Sequence, residues 1–336
     1  MIKGAIIGLG KISRTAHVPA YTGEKVRKNI RITAGVDISD ANRASFIELI
    51  PGINVYSTIE EMYAQEKVNF IDICVPPNMH ERYIGFAMRN KINVLCEKPL
   101  TTGIESAVSL KNELLDSGIK FMPIHQYKYS PVWRIFKAEV KDIKNSNKIF
   151  LQFNVYRLAA DSGYDSKNPS WRTDRGTSGG GILSDTGTHY LYLTDYLLGK
   201  PLEIASHNFR LRKNPYEIED TSVTIISTDR GTAQINLTWA AAKRLNTAFM
   251  TDGNKNLFYD GTKIELYENG KSELFDVPDA SDKKTYVEMY ENMLIDFIEE
   301  CKSETYKPDF ILESFDVIKM LDCCYKSSRL KKTIRF

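Results

Sequence analysis

The sequence predicts an α/β protein of two domains, in which an N-terminal Rossmann-type parallel sheet precedes an α+β domain with a large, mostly antiparallel open sheet. Its 336 residues exceed what one hydrophobic core usually supports, which favours two domains. The first 125 residues alternate short apolar runs with helical patterns, as parallel α/β sheets do. Later apolar runs are longer and are joined by turn signals such as Asp229-Arg230-Gly231, as in antiparallel sheets.

Five short apolar runs in the first part of the chain have the composition of strands buried on both faces. Helical patterns separate them, and helices on both faces would cover such a sheet. The predicted strands are residues 2–8, 30–37, 70–75, 92–96 and 121–125, and the predicted helices include residues 41–50, 80–90 and 105–118. We therefore assign residues 1–125 to a first domain built on a parallel sheet.

Residues 126–336 form the predicted second domain, which we expect to bind substrate and to make subunit contacts. After a helix at residues 132–142, the predicted strands are residues 148–158, 203–211, 221–228, 232–239 and 263–267, with one intervening helix at residues 183–198. Two helices, at residues 286–302 and 311–328, close the chain. The last of them is a candidate to pack back on the first domain.

Composition and charge indicate a protein that acts on a small molecule. The formal net charge is +2, from 45 basic and 43 acidic residues mixed along the chain, so no charge block favours nucleic acid or a membrane surface. The N-terminal apolar run is too short for a signal peptide, and no run of about 18 apolar residues occurs. The five cysteines lack Cys-x-x-Cys metal spacing and indicate the reducing cytoplasm. We expect no metal site.

A glycine turn between the first strand and a helix predicts a dinucleotide site. In Gly8-Leu9-Gly10-Lys11-Ile12-Ser13, Gly8 permits the tight turn and Gly10 removes a side chain where a pyrophosphate must approach. The helix start at Lys11 and Ile12 offers free N–H groups and a positive dipole. Such turns also occur without a ligand, but Asp37 ends the second strand. A carboxylate there accepts the ribose hydroxyls of NAD and repels the 2′-phosphate of NADP, so NAD is favoured.

Three further segments carry polar residues that the fold is expected to bring together. Pro76-Pro77-Asn78-Met79-His80 follows the strand at 70–75, and Glu97-Lys98-Pro99 follows the strand at 92–96. Ligands of open α/β sheets bind beyond the carboxyl ends of the strands, so both segments point at one crevice. The third segment, from Gly179-Gly180-Gly181 to Asp185 and His189, opens the single intervening helix of the second domain.

Together these segments resemble the glucose–fructose oxidoreductase and inositol dehydrogenase family (Gfo/Idh/MocA). The resemblance covers essentially the whole chain, through the glycine turn, Pro-Asn-x-His, Glu-Lys-Pro and the triple glycine followed by Asp-x-x-x-His. It implies an NAD-dependent oxidoreductase that acts on CH–OH groups of sugars or cyclitols. It also implies that Pro76, Asn78, His80, Glu97 and Lys98 contact the cofactor, with His80 positioning the loop rather than taking part in the chemistry.

Three of these residues have the chemistry of a proton-transfer site. Asp185 and His189 are four residues apart and would project from one face of a helix, where a carboxylate can orient and tune an imidazole. Lys98 at a strand end can polarise a hydroxyl or carbonyl oxygen. The resemblance implies that Lys98 binds the reacting oxygen, that His189 is the principal acid/base, and that Asp185 hydrogen-bonds the substrate hydroxyl or Lys98. The alternative is an ordinary surface hydrogen bond between Asp185 and His189.

The segment His125-Gln126-Tyr127-Lys128 departs from the usual residue types of the family, which has an aromatic residue, asparagine and arginine-type residues there. We expect Gln126 to offer its amide near the nicotinamide and Tyr127 to contact substrate. Trp171 and Arg172 precede the triple glycine, where the family often places substrate contacts, and loop packing is the alternative for both. These departures leave the substrate class open.

The predicted function is NAD-dependent oxidation of a secondary hydroxyl of a sugar, sugar derivative or cyclitol, or the reverse reduction. Two alternatives remain, a redox-hydrolytic glycosidase of the same fold and a non-catalytic dinucleotide-binding sensor. We expect a homodimer or homotetramer that associates through the exposed face of the second-domain sheet. That expectation rests on the family resemblance and on strands, such as residues 149–155, that look too apolar for a solvated face.

Overall fold

Two sheets, built by successive parts of the chain, form the framework of the protein. The computed structural model describes residues 1–144, 148–161, 170–213, 215–282, 285–305 and 307–336. A six-stranded sheet lies in the N-terminal part, and a nine-stranded sheet lies in the remainder. The prediction of a parallel Rossmann-type sheet followed by a large, mostly antiparallel sheet is confirmed.

The first sheet is entirely parallel. Its strands are β1 (Ile2–Ile7), β2 (Ile30–Val36), β3 (Asn54–Tyr56), β4 (Phe70–Ile73), β5 (Asn93–Cys96) and β6 (Phe121–Pro123), in the order β3-β2-β1-β4-β5-β6. Its helices are α1 (Val18–Thr22), α2 (Asp40–Leu49), α3 (Ile59–Gln65), α4 (His80–Arg89) and α5 (Ile104–Ser117). The order reverses between β1 and β4, and in such sheets a crevice opens at that point, outside the carboxyl ends of the strands.

The sequence prediction missed one strand and one helix of this sheet. β3 has only three residues, none of them buried, so it lacks an apolar run. α3 begins with a capping box, in which Thr58 accepts from the Glu61 N–H and Glu61 reaches back to the Thr58 N–H. That pattern, Thr-x-x-Glu before an apolar stretch, was visible in the sequence and would have located the helix.

The second sheet is antiparallel except for one central pair. Its strands are β7 (Ile149–Tyr156), β8 (Pro201–Phe209), β9 (Thr221–Thr228), β10 (Gly231–Thr238), β11 (Leu245–Thr251), β12 (Lys255–Tyr259), β13 (Lys263–Glu268), β14 (Lys271–Asp276) and β15 (Ile334–Arg335). The order is β14-β13-β12-β11-β7-β10-β9-β8-β15, and β7 and β10 are parallel. The sequence did not predict β11, β12, β14 or β15.

Helices cover one face of the second sheet. The remaining helices are α6 (Pro131–Asp142), α7 (Arg175–Ser178), α8 (Thr188–Leu198), α9 (Tyr286–Lys302) and α10 (Asp309–Leu330). Of these, α6, α8 and α10 pack on the sheet. Trp133 of α6 and Tyr190 of α8 both contact Phe153 of β7, with ring centroids 5.5 Å and 5.1 Å apart. The apolar residues Ile149, Leu151, Phe153 and Val155 therefore face the helices. The sequence had suggested that the apolar run at residues 149–155 forms the exposed face of the sheet. Its apolar side chains are instead buried under the helices.

The two sheets are joined by the last helix and by side chains at their boundary. α10 packs against α5 and β6 of the first sheet as well as against β8 of the second. Lys111 of α5 lies over the ring of Phe315 in α10, with its Nζ 4.3 Å from the ring centroid. Within the described ranges, no helix is both long and apolar enough to cross a membrane. The domain boundary at residue 125 stays a prediction.

Candidate active site

The glycine turn lies between β1 and the first helical segment, as the sequence predicts. Gly8 has φ +97°, a conformation that residues with a Cβ rarely adopt. A Cβ added to Gly10 would have no other heavy atom within 4 Å, so this position opens to free space. The following helical segment contains a π-helical turn, Ser13–His17, before α1. The glycine turn lines a cavity at the carboxyl ends of β1 and β4.

Asp37 follows β2 and bonds directly to the glycine turn. Its Oδ2 accepts from the Leu9 N–H at 2.8 Å and from the Asn42 side chain at 3.1 Å, and its Oδ1 accepts from the Ser39 N–H at 2.8 Å. Ser39, not Asp37, caps α2, because its hydroxyl accepts from the Asn42 N–H. Asp37 is therefore free of a capping role and faces the same cavity as the glycine turn.

One cavity of about 400 Å³ joins the glycine turn to the strand ends of the first sheet and to the second domain. Many of the predicted site residues line it, namely Gly8, Gly10, Lys11, Ile12, Asp37, Pro76, Glu97, Lys98, Trp171, Arg172 and Asp185. Pro77 and Met79 also line it, whereas Asn78 and His80 do not. The cavity thus extends from the glycine turn to Lys98, as the crevice of an open α/β sheet does.

His80 lies behind the cavity wall. It is fully buried, its Nδ1 lies 2.9 Å from the Pro99 carbonyl oxygen, and its Nε2 lies 3.0 Å from the Val75 carbonyl oxygen. Burial lowers the pKa of His80, and the hydrogen bonds to these carbonyl oxygens oppose that shift. Its contacts join the two loops that carry Pro76 and Lys98. The structure therefore places His80 as a link between loops, and it places Asn78 on the exposed side of its short helical turn.

Lys98, Asp185 and Arg172 meet at the far end of the cavity. The Lys98 ammonium donates to the Asp185 backbone oxygen at 2.8 Å and lies 3.8 Å from the carboxylate Oδ1. Arg172 Nε lies 3.4 Å from the same carboxylate oxygen, and its guanidinium stacks over Trp171 at 4.2 Å. One carboxylate thus has two cationic neighbours, one from each domain.

The helix that carries Asp185 and His189 begins with a π-helical turn, Leu183–Gly187, and continues as α8. Glu219 holds the start of this turn, because its Oε1 accepts from the Gly181 N–H at 2.9 Å, the Leu183 N–H at 3.3 Å and the Tyr325 hydroxyl at 2.8 Å. A Cβ at Gly181 would overlap the Glu219 backbone oxygen. The triple glycine therefore allows a buried carboxylate to approach the helix start.

His189 is not paired with Asp185. Its ring stacks on Tyr127, with centroids 4.3 Å apart and planes 13° apart, and its Nδ1 has no hydrogen-bond partner in the described part of the chain. The expectation that Asp185 orients His189 is therefore corrected, because the charges of Lys98 and Arg172 hold the Asp185 carboxylate. Burial, with Lys98 and His125 nearby, lowers the pKa of His189 well below its usual value. The imidazole is therefore neutral and able to accept a proton.

Gln126 and Tyr127 follow β6 and are both buried. The Oε1 of Gln126 has no partner among the described residues. His125 stacks on Tyr192, with centroids 4.1 Å apart, just as Tyr127 stacks on His189. Ile124 donates its N–H to the Cys96 carbonyl oxygen, so this segment runs beside the turn that carries Lys98. Neither Gln126 nor Tyr127 lines the cavity.

A buried polar group beneath Lys98 was not predicted from the sequence. We call it the His17 network, and it comprises His17, Asp72, Glu97, Tyr21 and Tyr290. Cys74 contacts it, with its Sγ 3.4 Å from His17 Nδ1. His17, Asp72 and Cys74 are residue types that bind metals, but His17 Nδ1 and Asp72 Oδ2 are only 2.7 Å apart. That spacing is a direct hydrogen bond and leaves no room for an ion between the two atoms.

Two family models match this chain. The model of an oxidoreductase family with an NAD-binding Rossmann fold (GFO_IDH_MocA) matches residues 2–125, and the model of the GFO/IDH/MocA C-terminal domain matches residues 151–257. Together they cover more than half of the sequence. Glucose-6-phosphate 3-dehydrogenase from Bacillus subtilis is 27% identical over 227 residues, which are 67% of this chain and 62% of that enzyme. The chain spans 55–62% of the length of the first curated relatives it matches.

Solved structures share the whole fold at low sequence identity. An oxidoreductase from Thermotoga maritima has a TM-score of 0.84 and 19% identity, and the match covers 99% of this chain and 98% of that one. A dehydrogenase from Bordetella pertussis, solved with NADH and UDP-GlcNAcA, has a TM-score of 0.80 and 18% identity, and the match covers 100% and 98% of the two chains. At these identities, the likeness shows the fold alone.

Proposed function

Because the chain belongs to the GFO/IDH/MocA oxidoreductase family, we propose that it oxidises a secondary hydroxyl of a sugar, sugar derivative or cyclitol with NAD, or catalyses the reverse reduction. The observation that carries the proposal is the single cavity that Gly10, Asp37, Lys98 and Asp185 all line. The cavity connects the glycine turn with the pair formed by Lys98 and Asp185. The similarity to glucose-6-phosphate 3-dehydrogenase supports a sugar-like substrate.

The residues of the cavity fit NAD. The open space at Gly10 leaves room for a pyrophosphate beside the glycine turn, and Asp37 offers carboxylate oxygens for ribose hydroxyls. Asp37 would also repel the 2′-phosphate of NADP, which makes NADP the less favoured cofactor. When bound, the nicotinamide supplies the hydride acceptor or donor. Four further residues of the cavity wall would complete the cofactor contacts, namely Lys11, Ile12, Pro76 and Glu97. Gln126 and the loop that His80 holds lie behind this wall.

We assign the proton chemistry to Lys98, His189 and Asp185. Lys98 binds the reacting oxygen. The cofactor phosphates would bind beside the glycine turn, and the Lys98 ammonium lies at the opposite end of the cavity. His189 accepts the proton of the hydroxyl, for which its neutral ring is suited. Asp185 holds Lys98 and Arg172 in place and offers an oxygen to a substrate hydroxyl. Tyr127, Trp171 and Arg172 are the proposed further substrate contacts.

An NAD-reduction screen tests the proposal. The purified protein is mixed with NAD and with free sugars, sugar phosphates, amino sugars, nucleotide sugars and inositols, and NADH formation is followed by absorbance. The proposal expects NADH to accumulate with at least one member. Release of free sugar from glycosides without net NADH would instead identify a redox-hydrolytic glycosidase. NAD binding with neither activity would contradict the enzyme proposal and favour a sensor.

We also propose a homodimer or homotetramer formed through the face of the second sheet that the helices leave uncovered. One cross-strand row on this face contains Ile225, Gln234, Gln152, Phe249 and Phe258. Ile225 and Phe258 are each 44% exposed. Light scattering at micromolar concentration should give at least twice the mass of one chain, and a monomer would contradict this.

The cytoplasm remains the proposed compartment, since the five cysteines form no disulfide bonds.

A further inference from the structure

We propose that His17 is a positioning residue for Lys98, acting through Glu97. His17 lies in the helical segment after the glycine turn, whereas Lys98 follows β5, so the two belong to different loops of the first sheet. The inference rests on the proposed role of Lys98 and adds a residue to which that function assigns no part. It is carried by hydrogen bonds within the His17 network.

Glu97 connects His17 to Lys98 through its two carboxylate oxygens. Oε1 lies 3.1 Å from His17 Nε2 and accepts from the Tyr290 hydroxyl at 2.8 Å. Oε2 accepts from the backbone N–H of Lys98 at 3.3 Å. The backbone position of Lys98 therefore depends on a carboxylate that His17 and Tyr290 fix in place. From that position, the Lys98 ammonium reaches the Asp185 backbone oxygen.

The other side of the His17 ring is bonded to a second carboxylate. His17 Nδ1 lies 2.7 Å from Asp72 Oδ2, which also accepts from the Tyr21 hydroxyl at 2.8 Å. A neutral imidazole has one N–H and can donate to only one of two carboxylates. Bonds to both Asp72 and Glu97 therefore require the imidazolium, which is 1% exposed. His17 acts as a buried cation between two anions.

The pKa shifts agree with this assignment. Burial alone would lower the pKa of His17, but the charge of Asp72 raises it well above its usual value, and Cys74 adds to the rise. Burial alone would raise the pKa of Glu97, but the hydrogen bond and charge of His17 lower it, with smaller contributions from Lys98 and Tyr290. The ion pair between His17 and Glu97 is thus intact at pH values between the lowered pKa of Glu97 and the raised pKa of His17. It is lost in acid through Glu97 and in alkali through His17.

The network also joins three parts of the fold. His17 belongs to the helical segment after the glycine turn, Asp72 to β4, and Tyr290 to α9, which packs on α1 and on the π-helical turn Ser13–His17. The ring of Tyr290 packs on that of His17, with centroids 4.7 Å apart. Both the segment after the glycine turn and a helix from the C-terminal part of the chain therefore contact Glu97, which precedes Lys98. A substitution at His17 should loosen Lys98 without removing any group from the cavity wall.

Chemical labelling of Lys98 tests this without turnover. The full-length protein is treated with acetic anhydride at one pH, and acetylation of each lysine is measured by peptide mass spectrometry. In the unaltered protein, Lys98 should react slowly, because its side chain is 13% exposed and bonded to Asp185. In His17→Gln, Lys98 should react about tenfold faster, as expected when one partner of a buried ion pair is lost. The rate at exposed Lys271 should be unchanged.

Two tyrosine variants provide a matched control if His17→Gln does not fold. Tyr290→Phe removes one hydroxyl from Glu97, and Tyr21→Phe removes one hydroxyl from Asp72, on the far side of His17. Tyr290→Phe should raise Lys98 labelling about three- to tenfold, the effect of one hydrogen bond, and Tyr21→Phe should raise it less. Equal effects, or none, would overturn the proposal. Since no substrate is involved, that result would leave the proposed dehydrogenase function untouched.

Discussion

The two ends of the cavity are built in different ways. At the dinucleotide end, Gly8 and Gly10 lie in one turn, and Asp37 of the neighbouring loop bonds directly to that turn. At the end proposed to be catalytic, Lys98 comes from the first sheet, whereas Asp185 comes from the helical segment Leu183–Gly187 that precedes α8. Backbone conformation within a short stretch sets the first end, and contacts between distant parts of the chain set the second. Substitutions at the two ends should therefore have different consequences.

The supporting residues follow the same division. Near Gly10, the added Cβ would find open space, so no contact within the protein requires a glycine there, and we expect this glycine to serve the cofactor. Near Gly181, the added Cβ would overlap Glu219, so that glycine serves the fold. Cofactor affinity should respond to changes at the first end, while turnover and stability should respond to changes at the second.

The largest expected effect is at His189. His189→Gln removes the proposed base, and kcat should fall about 10²- to 10⁴-fold, the usual contribution of general acid–base catalysis. The Kd for NAD, measured by fluorescence titration, should stay within about threefold, because His189 does not line the cavity. His207→Gln, at an exposed histidine of β8, is the matched control and should leave kcat unchanged. A His189→Gln rate close to the unaltered rate would remove His189 from the mechanism.

The pH dependence should report the same group. A base must be neutral to accept a proton, and burial lowers the pKa of His189. The acid limb of kcat/KM should therefore lie well below pH about 6.5, the ordinary histidine value. An acid limb at or above that pH would show that another group limits the rate.

The next largest effects are expected for a pair of glycine variants, one for each end of the cavity. Gly181→Ala should lower the free energy of unfolding by about 1–3 kcal/mol, because the new methyl group overlaps the Glu219 backbone. Gly10→Ala should leave that free energy unchanged and weaken NAD binding by about tenfold or more. Urea unfolding and fluorescence titration measure the two quantities. If both variants lost stability equally, the division between the ends would be wrong.

The smallest expected effect is at Asp37. Asp37→Asn keeps an acceptor for the Leu9 N–H but removes the charge, so the Kd for NAD should rise about tenfold, in line with a charged hydrogen bond. The Kd for NADP should rise less or fall, because the repulsion of its 2′-phosphate is gone. Titration with both cofactors gives the ratio of the two Kd values. An unchanged ratio would mean that Asp37 does not select the cofactor.

The same division explains how much the sequence could predict. The glycine turn, Asp37 and Lys98 each follow a strand that is apolar on both faces, so the strand pattern located them at one edge of the sheet. Asp185 and His189 were located by their helix, and the family resemblance implied that Asp185 pairs with Lys98. The contact of Asp185 with Arg172 was not predicted.

The supporting residues had no local signal. Glu219 lies 38 residues from Gly181, and nothing in its neighbourhood marks it as a buried acceptor. His17 was part of the predicted helix, but its carboxylate partners are 55 and 80 residues away. Strands β11, β12 and β14 mix polar and apolar residues, since one face of the second sheet is not covered by helices, and that mixture hid them from a search for apolar runs.

The separation of cofactor binding from chemistry is tested most directly at Lys98, which lines the cavity at the end away from the glycine turn. Lys98→Met keeps the length of the side chain and removes its ammonium. NAD binding and NADH formation are measured on the same preparation, with the best substrate from the screen. We predict a Kd for NAD within about threefold of the unaltered protein and a kcat at least about 10³-fold lower. An unchanged kcat, or a loss of NAD binding that accounts for the whole loss of activity, would contradict the assignment.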